Sequence, residues 1–132
     1  MSINLQEVTK SVYQLLRPQV PMPLYNRLAA YNARAPYAIF DVDETGLHEY
    51  FSGTSDHTIF ITITFYASRN QGAGALRRIA DKVGGVFHKT HPVIAGMAGT
   101  DMRCLAEDNL VNAGNNLWGL TIRLKLVGSA TA

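Results

Sequence analysis

The chain is poor in the residues on which much small-site chemistry rests. Its one cysteine, Cys104, excludes an internal disulfide and a zinc site built on several thiolates, and fits a reducing compartment. Charged residues make up only 17% of it, which leaves room on its surface for contacts between subunits. The net charge of +2 is too small to imply a nucleic-acid groove. No apolar run is long enough to span a bilayer, so no membrane partner is expected. The polar start MSINLQEVTK lacks the apolar stretch of a secretion signal, and none is expected. GAGAL at Gly72 to Leu76 lacks the Lys-Ser/Thr that completes a phosphate loop. No internal repeat is present. A length of 132 residues points to one domain, 1–132, with one core.

The clearest feature present is His57 to Tyr66, HTIFITITFY. Ile59, Ile61, Ile63 and Phe65 alternate with Thr58, Phe60, Thr62, Thr64 and Tyr66, the period of a strand with one core face. It would run roughly 33 Å, long enough to need a neighbour on each side. The Thr/Phe/Tyr face is too apolar for plain solvent surface, so a helix or a second subunit is expected to cover part of it.

The rest of the chain is read around that strand. Leu5, Val8, Val12, Leu15 and Leu16 predict a helix over Ser2 to Arg17, capped by Ser2 or Asn4 and ended by Pro18. Pro18 to Pro23 is an extended connector. Leu24 to Ala33 is open between a short strand and helical turns. Ala35 to Val42 reads as a strand. Asp43 to Asp56 reads as a long polar connection, with room for a short strand around His48 to Phe51. Leu76, Ile79, Ala80, Val83 and Phe87 predict a second amphipathic helix, weakened or stopped at Gly84-Gly85. Thr90 to Gly99 reads as loop and Thr100 to Ala106 as a strand with Met102 and Cys104 on one face. NAGNN at Asn112 to Asn116 reads as a turn. Leu117 to Val127 is the closing strand, with Trp118, Leu120, Ile122, Leu124 and Leu126 inward and Thr121, Arg123 and Lys125 outward. This order gives an α+β domain: a mainly antiparallel sheet of about four to five strands with two helices packed on one face.

Several groups of residues could carry chemistry. Ala38 to Thr45, AIFDVDET, resembles the first motif of the haloacid-dehalogenase phosphotransferases, in which paired carboxylates at a strand end surround Mg²⁺. Asp41 would be its nucleophile and Asp43 its acid/base. Gly46 stands where that family has an apolar residue, and no alternating strand–helix series follows. An acidic strand end is therefore preferred to an enzyme. His88 and His91 with Asp101 could form part of a metal site, but no further ligand stands at a motif spacing. No metal, cofactor or catalytic residue is expected. Cys104 reads as a small buried hydrophobe, and Arg69, Arg77, Arg78 and Lys82 as a solvated helix face.

The element order carries more than any of these motifs. A helix ending in Leu-Leu, the strand PYAIF after a Pro-rich connector, ITITFYA followed by an Ala/Leu/Arg helix, and a closing LTIRLKL resemble the tail terminator (tail-completion) proteins of long-tailed bacteriophages. The resemblance covers most of the chain and departs from that pattern at NARAPYAIFDVDETG and in the loop Thr90 to Gly99. It implies a non-enzymatic virion protein, made in the host cytoplasm. Such a protein forms a homo-oligomeric ring, a hexamer, at the head-proximal end of the tail tube. Its partners would be the tail tube protein and a head–tail connector, with genome DNA passing through but not specifically bound. On this reading Phe60, Thr62, Thr64 and Tyr66 form a subunit interface, and Asp41, Asp43, Glu44 and Asp56 form an acidic loop lining the channel, which would repel phosphates. The alternatives are another head–tail connector or minor tail ring protein, and the small phosphotransferase using Asp41.

Overall fold

In the computed structural model, residues 3–29, 33–49, 55–105, 111–114 and 117–130 are described. The first helix, α1 (Leu5–Leu16), spans its apolar repeat and starts later than the expected Ser2 because Asn4 caps it, its side chain accepting from the N–H groups of Gln6 and Glu7. Ser2 lies outside the described residues. The proline-rich connector is not a solvated tether: its Val20 and Met22 are buried. It leads into β1 (Leu24–Asn26), which resolves the ambiguous segment as a short strand.

The next two strands are longer than the sequence suggests. β2 (Tyr37–Glu49) and β3 (Ser55–Ser68) pair antiparallel from Tyr37↔Tyr66 to Glu49↔Ser55. Most of the expected polar connection over Asp43 to Asp56 is therefore strand. Its alternation is hidden because β2 bulges between Glu44 and Gly46, which breaks the period of two. His48 belongs to β2, while residues 50–54 lie outside the described part.

A short 3₁₀ turn leads to α2 (Ala73–Phe87). Gly72 precedes it at φ 86°, a backbone conformation that glycine adopts without strain. The helix runs straight through Gly84-Gly85. A Cβ on Gly84 would sit 2.9 Å from the Cys104 sulfur, so glycine there lets the helix lie close on β4 (Met97–Cys104). β5 (Val111–Gly114) occupies most of the stretch expected to be a turn, and residues 115–116 lie outside the described part. β6 (Leu117–Ala130) closes the fold.

The sheet order is β1-β2-β3-β6-β4, with β5 also paired to β6. β1 runs parallel to β2 and the other pairings are antiparallel. β3 and β4 run in the same direction, joined through α2, and β6 fills the slot between them. The domain is α+β, with one strand more than expected. Directly opposed residues show which side chains share a face. Phe40, Ile63 and Ile122 form one row, and Val42, Ile61, Leu124 and Cys104 another. Ile59, Ile61, Ile63, Phe65, Leu120, Ile122, Leu124 and Leu126 are fully buried. Both helices cover this face: Val8, Val12 and Leu16 of α1, and Leu76, Ala80, Val83 and Phe87 of α2, complete the core. Trp118 shares the face but is only half-buried, because it stands at the margin with the Arg69 guanidinium 5.2 Å over its ring.

Candidate functional site: the open face of the sheet

The opposite face of the sheet carries neither helix. Its rows follow from the same register. Tyr37 stands beside Tyr66, Ile39 beside Thr64 and Thr121, Asp41 beside Thr62 and Arg123, and Asp43 beside Phe60 and Lys125. Arg103 of β4 continues the last row. Charge is thereby sorted by strand. β2 presents Asp41 and Asp43, β3 presents Thr58, Phe60, Thr62, Thr64 and Tyr66, and β6 with β4 presents Arg123, Lys125 and Arg103, the last paired to Asp101 of its own strand. The β3 residues are half-buried by their neighbours. Arg123 lies 4.8 Å over the Phe60 ring, and the Thr64 and Thr121 hydroxyls are 3.0 Å apart. The Tyr37 and Tyr66 rings stand 5.1 Å apart at one end of the face, with Tyr25 edge-on to Tyr37. Burial, and then the neighbouring Tyr66, raise the Tyr37 phenol above its ordinary value of 10.0.

The four residues expected at a subunit interface thus share this one face. The four expected in an acidic channel loop do not stay together. Asp41 Oδ1 accepts from the Val42 N–H at 2.9 Å and pairs with Arg27 at 3.2 Å. β1 ends at Asn26, paired to Phe40, and the carboxylate satisfies the edge N–H of Val42, two residues further along β2. Asp43 is exposed on the open face. Glu44 reaches the Nδ1 of His57, and Asp56 accepts from the Ser129 hydroxyl at 2.7 Å. The two carboxylates of the dehalogenase-like motif do lie on one side of a strand. Asp41, however, serves as an edge cap, and the surrounding sheet is mainly antiparallel rather than doubly wound.

Sequence reasoning missed one constellation. Ser55 Oγ stands 3.0 Å from His57 Nε2, and His57 Nδ1 is bonded to Glu44, which is the connectivity of a serine–histidine–acid triad. The spacing Ser55-x-His57 on one strand face was the available signal. The geometry cannot act on a substrate as it stands: Ser55 has no exposed surface and His57 is 1% exposed, so no carbonyl can reach the hydroxyl. Ser55 and His57 form a buried polar tie at the hairpin end of the core, joined from the surface by Glu44.

The remaining candidates are dispersed. His88 Nδ1 accepts from the Cys104 N–H at 3.0 Å, His91 Nδ1 donates to the Thr100 carbonyl at 2.8 Å, and Asp101 pairs with Arg103 at 3.0 Å. Each expected ligand is thus held by a different partner. Arg77, Arg78 and Lys82 are exposed along α2. A groove of about 590 Å³ lies between α1 and the β1–β2 edge, lined by Glu7, Lys10, Arg27 and Asp41 among others.

No family model matches the chain, and no curated protein matches it. Among solved structures it is similar to a chain of the virion of a native gene transfer agent particle. The match has a TM-score of 0.76 at 12% identity and covers 96% of this chain and 97% of that one. A second solved chain matches with a TM-score of 0.70 at 10% identity, covering 99% of each. At these identities the fold is what is shared.

Proposed function

We propose that the chain is a structural subunit of a phage-like virion: a tail terminator that forms a ring at the head-proximal end of the tail tube and offers the surface on which the head joins. The observation that carries this reading is the end-to-end likeness to a chain of a gene transfer agent virion, which leaves almost no part of either chain over. The open face supports it, since a large half-apolar sheet surface that carries no covering layer among the described residues marks a contact site. The role is non-enzymatic, as supported by the burial of Ser55 and the capping engagement of Asp41.

A closed ring requires two different patches on each subunit. The open face around Phe60, Thr62, Thr64 and Tyr66 is one. The flank of β2 beyond Phe40, which no strand pairs among the described residues, is the other. Six copies, the tail tube protein and a connector are the proposed partners. Of the four acids, Glu44 and Asp56 serve the fold through His57 and Ser129. Asp41 and Asp43 serve contacts between copies rather than a channel wall.

The test is a reconstruction of the particle that contains this chain. A single ring at the head-proximal end of the tail supports the terminator. A ring within the head–tail connector favours the alternative connector role, stacked copies would make it a tube protein, and absence from the particle overturns the structural reading.

A further inference from the structure

We infer that in the free protein the open face docks on the open face of a second copy, about a twofold axis running along β3. The inference rests on reading the Phe60 face as a contact between copies, and it names the partner and geometry that face takes before assembly.

The argument is one of charge placement. Across the row through Phe60, the order is Asp43, Phe60, Lys125, Arg103; across the row through Thr62 it is Asp41, Thr62, Arg123. Acid lies on one side of β3 and cation on the other. Two such faces can meet about an axis across the strands or about one along them. The first lays β2 on β2 and β6 on β6, placing acid on acid and cation on cation. The second lays β2 of each copy over β6 of the other. Asp43 then faces Lys125 of the second copy, and Asp41 faces Arg123, each pair occurring twice. The Phe60 rings and the Thr62 and Thr64 rows meet along the axis. Arg27 and Arg103, at the two margins, are each held by an acid of their own copy, Asp41 and Asp101. Aligned stacking of two twisted sheets is an ordinary packing for such faces.

The size also fits. Three long strands about 4.8 Å apart, over about ten residues at about 3.3 Å each, present roughly 480 Å². β1 and β4 bring the face to about 600 Å². The pair would then bury about 1,200 Å² in total, the lower end of the range for specific complexes. Such a dimer forms at high concentration and comes apart on dilution. Because a twofold contact closes on itself, a paired copy withholds this face from the ring. Pairing would therefore keep free subunits from polymerising until a tail end competes for the face.

The test is sedimentation of the purified full-length chain over a concentration series at low and high salt. The wild type should be a monomer–dimer system weakened by salt. Asp43→Lys alone places Lys over Lys, and Lys125→Asp alone places Asp over Asp. Each should raise the dimer dissociation constant at least tenfold while circular dichroism and thermal midpoint stay at wild-type values. An equimolar mixture of the two variants should recover dimers, because every 43–125 contact between unlike copies is then again an opposite pair. A wild type that stays monomeric throughout, single variants that dimerise as the wild type does, or a mixture that fails to recombine would each overturn the inference. A monomeric wild type whose single variants lose only their binding to assembled tails would give the face to the tail instead. The ring reading is judged separately, on the particle, and survives any of these results.

Discussion

The two faces of the sheet are built from alternate residues of the same three long strands and have opposite characters. On the helix side, Ile59, Ile61, Ile63 and Phe65 have no exposed surface, and their neighbours in β2 and β6 are apolar except for Glu44 beside Ile59. On the open side, Thr58, Phe60, Thr62, Thr64 and Tyr66 are half-exposed, and Phe60 and Thr62 stand between charges of opposite sign. The helix side requires only that apolar volume be kept, a demand many sequences satisfy. That is how a TM-score of 0.76 coexists with 12% identity. Nothing in the fold requires the open side to sort acid onto β2 and cation onto β6. The information about partners is therefore expected there, and the information about folding on the other side.

Neighbouring substitutions test that division most sharply. Ile61→Ala should lower stability by about 2–5 kcal/mol, the cost of a cavity under both helices. Thr62→Ala, one residue along on the other face, should change it by less than about 0.5 kcal/mol. Denaturant midpoints of the two variants give both values; equal losses would mean that the faces are not energetically distinct. Phe60→Asp and Tyr66→Asp should leave the subunit folded by circular dichroism but block the joining of heads to tails. Infectious particles at wild-type yield from both would remove the open face from assembly.

Next in size is Gly128→Ala, at about 1–3 kcal/mol. β4 bulges between Ala98 and Asp101, and a Cβ at position 128 would stand 2.8 Å from Met97 Cε, 3.2 Å from Thr100 Cγ2 and 3.3 Å from the Ala98 carbonyl oxygen. The backbone oxygen cannot step aside as a side chain can. A thermal midpoint equal to the wild type would show that β4 yields more easily than this packing suggests. Ser55→Ala, at about 1–3 kcal/mol, removes the hydroxyl partner of His57 Nε2 inside the core. An unchanged midpoint would show that another group or water replaces it.

What could be read from the sequence divides along the same line. The long strand, both helices and the closing strand were legible because each has an apolar face with an unbroken period. The far half of β2 was not, since the bulge after Glu44 shifts the alternation by one residue and Thr45, Gly46 and His48 supply little apolar signal. Gly84 was legible as a helix breaker only in isolation; its close approach to Cys104 comes from tertiary packing. At the candidate site, the shared face of Phe60, Thr62, Thr64 and Tyr66 followed from the period of two. The separation of Glu44 from Asp41 and Asp43 did not, because it depends on which partner each carboxylate finds across the strands. The Ser55–His57–Glu44 tie has the same origin: two of its members are two residues apart, but the third arrives only through the hairpin register.

The smallest effect expected is alkaline. Tyr37 is held neutral in the folded chain, first by burial and then by Tyr66, so its folded pKa lies above the unfolded value of 10.0. Below pH 10.0 both states keep the proton, and the phenol's contribution to stability is fully present. As pH rises from there through the folded value, the unfolded chain releases the proton while the folded chain retains it. The unfolded state then binds fewer protons, and stability falls with pH. Tyr37→Phe removes the ionisable group but keeps the ring against Tyr25 and Tyr66. Denaturant midpoints from neutral pH to well above pH 10.0 should therefore fall less steeply for this variant than for the wild type, with the two curves differing by a constant at lower pH. Identical slopes would show that Tyr37 ionises as freely in the fold as in the open chain. The aromatic end of the open face would then be more fully hydrated than the rows around Phe60, and the apolar part of that face would end at Thr64.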